Sequence, residues 1–244
     1  MDEVGEGIHR LGASYVSWYL IAEGRGVTLV DTGNPNQYGQ LPAALSRLGR
    51  TIGDVEAIVL THAHGDHLGS SARIQDESGA PVHVHRGDGA LARGEAHREY
   101  ERHFVRDLHR WYAWKALLFF LFGGATRAPP VRLPREVEDG TVLDVPGSPR
   151  VVHTPGHTVG SACLSLDDRG VVFTGDAMVT LSITTGRTGP MIMPGSFNRD
   201  SRQSLDSLDR LRTLPAELLL PGHGLPHSGP MADAVDQAVA FGAH

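Results

Sequence analysis

A six-residue run that begins at His62 and ends at His67 constrains this chain more than any other part of its sequence. The run reads His-Ala-His-Gly-Asp-His and follows the apolar residues 57–60 after a single residue, Thr61. A short apolar stretch bounded by turn residues is typical of a buried strand. Three imidazoles and one carboxylate at the end of a strand are potential metal ligands, because metal ions bind histidine nitrogen and carboxylate oxygen. The chain must therefore fold so that this loop meets further ligands.

Three later segments each place a further histidine or aspartate at or just beyond a predicted strand end. They are Thr154-Pro155-Gly156-His157-Thr158, Phe173-Thr174-Gly175-Asp176 and Pro221-Gly222-His223-Gly224. Loops at strand ends are where a rigid scaffold displays chemistry. The neighbouring glycines allow sharp turns and a close approach to an ion. We therefore predict that seven side chains build two metal sites: His62, His64, Asp66, His67, His157, Asp176 and His223.

Hydrophobic periodicity predicts mixed strands and helices on both sides of a central segment. The predicted strands cover residues 15–22, 27–30, 55–60, 82–85, 142–145, 151–153, 161–166, 171–174 and 217–220. The predicted helices cover residues 38–48, 67–77, 200–213 and 231–241. The pattern by itself indicates only a mixture of α and β structure.

The ordered motifs resemble the metallo-β-lactamase superfamily. The HxHxDH pattern, the three later ligands and the upstream Leu29-Val30-Asp31-Thr32-Gly33 occur in that order between about residue 8 and about residue 225. The resemblance implies an α+β fold, a four-layer αββα sandwich with the ligand loops at one edge. The length of 244 residues agrees with one metallo-hydrolase domain, residues 1–244, with a helical, apolar insertion at about 86–135.

The resemblance also implies which residues bind which metal. The first metal would be held by His62, His64 and His157, and the second by Asp66, His67 and His223. Asp176 would bridge the two metals. Imidazole and carboxylate suit zinc, and they also suit iron or manganese. We expect two zinc ions. We interpret Asp31 as a hydrogen-bond acceptor that orients a ligand histidine.

The activity implied by the resemblance is metal-dependent hydrolysis. Two metal ions would share a water whose pKa falls toward about 7, giving a bridging hydroxide that attacks the substrate. We assign catalytic roles to Asp66, His157 and Asp176, and Asp66 is a candidate proton donor to the leaving group. The expected substrate is a small ester, thioester or lactone. Val179 stands three residues after Asp176, where related N-acyl-homoserine lactonases carry a tyrosine, which counts against a lactonase of that type.

Two alternatives of other classes remain open. One is an iron-dependent oxidoreductase of the sulfur dioxygenase type, which a single bound iron would favour. The other is a non-catalytic, metal-containing binding protein. A catalytic site keeps an exchangeable water position, whereas fully occupied metal coordination would favour the binding protein.

The insertion contains a densely apolar stretch that begins at Trp111 and ends at Phe122, just before Gly123-Gly124. This stretch is too short to span a bilayer. Three interpretations remain: a helix packed into the domain, a lid that lines the substrate pocket, or a homodimer or membrane-surface contact. If the stretch is a lid, its aromatic content predicts an apolar or acyl-bearing substrate.

A second variable segment, residues 178–199, is rich in glycine and proline and is predicted to be a loop beside the metals. Its Arg187 and Arg199 could clamp a substrate carboxylate or phosphate, or could be solvated loop arginines. His83 and His85 share one face of a predicted strand and are interpreted as structural residues.

Charge and cysteine content indicate which kinds of partner and which cell compartment to expect. The formal net charge of -6 provides no broad basic surface, so we expect a small-molecule substrate and no nucleic acid. Cys163 is the single cysteine, which allows no intrachain disulfide. Residues 1–7 are acidic and lack the basic and apolar regions of a secretory signal. We expect a cytoplasmic protein without a transmembrane segment.

Overall fold

A computed structural model of the protein describes residues 1–13, 15–101 and 103–243. The first large sheet in this part of the chain contains its strands in chain order: β1 (Asp2–Gly5), β2 (Ile8–Ala13), β3 (Val16–Glu23), β4 (Gly26–Val30), β5 (Val55–Val59), β6 (Val82–His85) and β7 (Arg135–Val137). The strands from β1 to β4 pair antiparallel, and those from β4 to β7 pair parallel.

The later strands form a second sheet and a small ribbon. They are β8 (Arg150–His153), β9 (Ala162–Leu166), β10 (Val171–Gly175), β11 (Val179–Leu181), β12 (Thr188–Met191), β13 (Leu218–Pro221) and β14 (His227–Ser228). The second sheet has the order β14-β13-β10-β9-β8, and β11 pairs with β12 outside it. Because β10 and β13 are parallel, Asp176 and His223, which follow these strands, leave the sheet at the same edge.

Most of the α-helices pack on the outer faces of the two sheets, and one packs against the small ribbon. They are α1 (Gln40–Arg47), α2 (Ser71–Ser78), α3 (Gly89–Ala92), α4 (Trp111–Gly123), α5 (Ser201–Ser207), α6 (Asp209–Arg212) and α7 (Met231–Phe241). No helix in the described part of the chain is long and apolar enough to cross a membrane.

Successive residues of β3 show how the layers are held together. Leu20 packs with Leu41 of α1, whereas Tyr19 and Ile21 pack with Phe173 of the second sheet. Side chains alternate between the two faces of a strand, so a strand that is buried on both faces is apolar throughout. A third cluster joins the second sheet to α6 and α7. The α+β, four-layer αββα prediction is therefore confirmed.

Several local predictions were wrong. The predicted loop over 178–199 contains the ribbon of β11 and β12, and the strands β1 and β2 were not predicted, in part because the residues of β1 stay exposed or half-buried. The predicted strand over 142–145 makes a single bridge, from Val142 to Arg150. The predicted helix over 200–213 is divided into α5 and α6.

The predicted helix over 67–77 begins later, at Ser71. The backbone N–H groups of His67 and Leu68 both donate to the carbonyl of His64, and the carbonyl of His67 accepts from the N–H of Thr32, in the loop after β4. These bonds hold the four residues before the helix in turns. The turns place His67 toward the edge of the sheet, where the other ligand candidates lie.

Candidate metal centre

All seven predicted ligands come together at one edge of the two sheets. The HxHxDH loop follows β5, His157 lies between β8 and β9, Asp176 follows β10 and His223 follows β13. Six of the seven side chains are buried, and only Asp66 is half-buried. The folding of the two halves therefore brings residues separated by up to 161 positions, His62 and His223, into one site.

Three imidazoles form the first cluster. The Nε2 atom of His157 lies 3.1 Å from Nε2 of His62 and 2.9 Å from Nδ1 of His64. Burial lowers the pKa of His62 and His64 well below its usual value, and the neighbouring imidazoles lower it further. The rings are therefore neutral and direct lone pairs toward a common point, which is the form in which histidine binds a metal.

The second cluster contains Asp66, His67 and His223. The Nε2 atoms of both histidines lie 3.6 Å from Oδ2 of Asp66. Asp176 lies between the clusters: its Oδ2 is 3.0 Å from Nε2 of His223 and 3.4 Å from Nε2 of His157, and its Oδ1 is 3.4 Å from Nε2 of His67. Burial alone would raise the pKa of Asp176, but the charges of His223 and His67 hold it well below its usual value.

Unpaired polar atoms indicate what this site can hold. Nε2 of His67 and Oδ1 of Asp176 are buried without a hydrogen-bond partner. Buried polar atoms are nearly always paired, so such atoms fit direct contact with a cation. The donor atoms form three overlapping groups within 4.8 Å: His62, His64 and His157; His62, His67 and Asp176; and Asp66, His67 and His223. The site could therefore hold divalent metal ions.

Asp31 orients one of these histidines, as the sequence predicted. Its Oδ2 lies 2.8 Å from Nδ1 of His67, and its two oxygens accept from the N–H and hydroxyl of Thr61, each at 2.8 Å. Asp31 has a φ of 59°, in the left-handed region that is costly for residues other than glycine. The three hydrogen bonds hold the residue in this conformation and leave Nε2 of His67 facing the cluster.

Two further orienting residues were not predicted from the sequence. Oδ1 of Asn198 lies 3.2 Å from Nδ1 of His157, and its amide nitrogen donates to the carbonyl of Met193 at 2.6 Å. The buried Asp88 accepts from the N–H of Ala63 and from Thr158, beside the two ligand loops. Asp88 follows strand β6, so its position just beyond a strand end could have marked it as a candidate. The sequence around Asn198 has no such feature.

Gly222 is required by the close packing around Asp176. A Cβ atom at this position would lie 2.4 Å from Oδ1 of Asp176 and 2.7 Å from Cε1 of His67. These contacts are too short for any other residue, so the side chain of a substituted residue would displace the carboxylate of Asp176. The glycine beside His223 thus permits a close approach, as the sequence indicated.

We expect Asp31→Asn to weaken metal binding by about 10- to 100-fold, because the amide cannot accept from both Thr61 and His67 as the carboxylate does. Competition with a chromophoric chelator measures this affinity. Asp54→Asn is the matched control, since Asp54 accepts from the N–H and hydroxyl of Thr51 in the same way but away from the site. Equal metal affinities in the two variants would contradict the role of Asp31.

A cavity of about 270 Å³ opens onto the clusters. Its metal end contains His64, Asp66, His157, Asp176 and His223, together with Arg98. The apolar part of its lining consists of Phe104, Leu117, Phe120, Ile183, Met193 and Phe197, and the ring centroid of Phe120 lies 6.0 Å from that of His223. Leu117 and Phe120 belong to α4, so part of the apolar stretch over residues 111–122 lines the cavity.

The other candidate residues lie elsewhere. Arg187 stacks on Phe241, with its guanidinium carbon 3.7 Å from the ring centroid, and Arg199 pairs with Glu99 at 2.8 Å. Neither arginine lines this cavity, and Arg199 lines a smaller one that also contains His64 and His157. His85 stacks on His153 with ring centroids 3.9 Å apart, outside the metal clusters.

Comparison with known proteins gives relatives along most of the chain. A probable metallo-hydrolase of Bacillus subtilis, YflN, is 29% identical over 93% of this chain and 87% of its own length. A hydroxyacylglutathione hydrolase of Cereibacter sphaeroides is 32% identical over 68% of this chain and 47% of its own length. The solved structure of TTHA1623 in a di-iron-bound form is 29% identical, with a TM-score of 0.61, and the match covers 90% of this chain and 93% of that one.

The family model of the metallo-beta-lactamase superfamily matches residues 11–223. The matched range includes all four loops that supply the ligand candidates, and the fold and the order of the motifs agree with it. The chain therefore belongs to the metallo-beta-lactamase superfamily.

Proposed function

We propose that this protein is a hydrolase with a dinuclear zinc site that cleaves a small ester, thioester or lactone bearing an apolar group. The observation that carries the proposal is the cavity, because ligand candidates of both clusters line it. A site that only stored metal would not need this opening. The hydrolase names of the relatives from Bacillus subtilis and Cereibacter sphaeroides support the reaction class. In this proposal residues 1–244 form one domain with the insertion at about 86–135.

The proposed ligands are the seven predicted residues, with Asp176 between the two sets. When bound, two divalent ions would lower the pKa of a shared water and polarise the carbonyl of the substrate. The chain contributes orientation: Asp31 and Asn198 fix the rings of His67 and His157 through their outer nitrogens. Asp66 is the half-buried carboxylate at the cavity, so it is the group that we assign to proton transfer toward the leaving group.

The size and the lining of the cavity indicate the substrate class. Its volume of about 270 Å³ lies just under the range of about 300–1,000 Å³ that is usual for ligand pockets, which suits a small molecule. The apolar wall formed by Phe104, Leu117 and Phe120 would hold an acyl or other hydrocarbon group. The scissile carbonyl would then face the metal end, close to the ring of Tyr100, whose centroid is 5.9 Å from that of His64.

Phe120→Ala is expected to raise KM for esters with a long acyl chain by about tenfold while changing that for acetyl esters much less, because a longer chain makes more contact with the apolar lining. Steady-state hydrolysis of a series of acyl lengths measures this difference. Phe122→Ala is the control on the same helix, because Phe122 is 77% exposed and does not line the cavity. A uniform effect of Phe120→Ala on all chain lengths would contradict the assignment of the wall.

Metal analysis of the purified protein, coupled to a hydrolysis screen over esters, thioesters, lactones and phosphodiesters, tests the proposed function. We expect two zinc ions per chain, and activity that is lost on chelation and restored by zinc. A single iron with oxygen consumption would establish an iron-dependent oxidoreductase instead. Full metal content without turnover of any substrate would indicate a binding protein. Because TTHA1623 has been solved in a di-iron-bound form, the same screen is to be repeated with protein reconstituted with iron.

A further inference from the structure

Helix α4 carries an exposed apolar surface on the side opposite to the cavity. Its large side chains there are exposed by 45–77%: Trp111, Trp114, Leu118, Leu121 and Phe122. Their spacing of three and four residues places them along one side of the helix, and we call this side the outer face of α4. Ala113 and Ala116 on the inner side are fully buried. The helix is thus apolar on both sides, although only the inner side is packed into the described part of the protein.

The chain segments that adjoin α4 are basic. The segment over residues 103–127 contains four cationic side chains, at Arg106, Arg110, Lys115 and Arg127, which lie on α4 or within five residues of its ends. Its one carboxylate, Asp107, is buried and pairs with Arg110 at 2.8 Å. The whole chain has a formal net charge of -6, so this segment reverses the sign of the molecule locally. We call these four residues the basic collar.

Apolar and cationic groups are combined here in the way that suits a lipid surface. Tryptophan and long cationic side chains favour the boundary between hydrocarbon and headgroups. The Nζ atom of Lys115 lies 5.3 Å from the ring centroid of Trp111 and 5.4 Å from that of Tyr112, so its charge remains beside the aromatic groups. A helix of 13 residues is about 20 Å long and would lie along the surface.

We propose that the outer face of α4 docks the protein on the surface of an anionic lipid bilayer. The apolar side chains would enter the headgroup boundary, and the basic collar would contact the anionic headgroups. Charge complementarity favours this occupant over a second copy of the chain. A two-fold contact between outer faces would bring Lys115 and the collar of one copy against the same cations of the other, with no exposed carboxylate of the segment to pair them. The inference does not depend on the proposed reaction.

Flotation with lipid vesicles tests the docking. We expect the purified full chain to float with vesicles of phosphatidylcholine and phosphatidylglycerol in equal parts, and much less with pure phosphatidylcholine. Leu121→Gln/Phe122→Gln is expected to lower the binding constant by about tenfold or more, because both side chains are exposed and would lose apolar contact with lipid. Arg106→Gln/Arg127→Gln should weaken binding to the anionic vesicles, and added salt should do the same.

Val142→Gln is the matched control, since Val142 is 59% exposed but lies outside the insertion. Circular dichroism and metal content establish that each variant is folded, so a lost interaction is not mistaken for unfolding. Absence of binding to anionic vesicles at low salt would overturn the proposal. A dimer in light scattering that becomes a monomer in Leu121→Gln/Phe122→Gln would also overturn it, because a second copy would then cover the outer face.

Discussion

Asp176→Ala is expected to lower kcat/KM by more than about a thousandfold and to reduce the metal content of both clusters, because metal-assisted stabilisation supplies several kcal/mol of the catalysis. The carboxylate of Asp176 lies within 3.0–3.4 Å of His223, His157 and His67, and these residues belong to different ligand sets. No other carboxylate of the described residues groups with ligand candidates of the first cluster. Elemental analysis and steady-state hydrolysis measure the two effects.

Asp167→Ala serves as the control for this substitution. Asp167 also follows a strand of the second sheet, but it pairs with Arg150 at 2.8 Å on the surface. We expect its removal to change neither metal content nor turnover. If Asp176→Ala retained two metal ions per chain, the bridging role would be wrong even if activity fell.

Asp88→Ala is expected to lower the free energy of unfolding by about 3 kcal/mol or more and to weaken metal binding. Oδ2 of Asp88 accepts from the N–H of Ala63 at 2.9 Å and from the hydroxyl of Thr158 at 2.8 Å, and Oδ1 accepts from the N–H of Gly160 at 2.8 Å. Each buried donor that loses its acceptor costs about 1–3 kcal/mol. Asp88 thereby joins the HxHxDH loop to the loop that carries His157.

Urea denaturation of the metal-free protein measures the stability, and chelator competition measures the metal affinity. Asp88→Asn distinguishes shape from hydrogen bonding, since it keeps the volume but places an amide N–H against one of the donors. We expect a smaller loss of stability in this variant than in Asp88→Ala. An unchanged unfolding midpoint in both variants would show that the two loops are held together by other contacts.

The ligand candidates could be predicted because their signal is local. Each stands in a short loop after an apolar strand, and glycines adjoin most of them. Asp31 could be predicted for the same reason. Asn198 and Asp88 could not be assigned a partner, because their contacts with His157 and Gly160 span 41 and 72 positions of the chain. Hydrogen bonds of this kind depend on how the two sheets pack.

The packing of the apolar helix α4 could not be predicted from the sequence either. Its sequence is apolar on all sides, so periodicity could not distinguish a packed helix from a lid or a docking surface. In the structure, Leu117 and Phe120 line the cavity while Trp111 and Phe122 face outward. The two sides of α4 differ only in their surroundings, because one side faces the cavity and the other faces outward.

The amino-acid sequence alone determined the seven candidate ligands and a mixture of α and β structure, because these depend on residue type and periodicity, and the order of its motifs implied the family and its layered architecture. Tertiary structure decided how close the candidate ligands lie, that Asn198 and Asp88 support their loops, and which side of α4 meets the cavity. These features require distances of about 3 Å between residues far apart in the chain, and such distances arise only when the two sheets pack face to face.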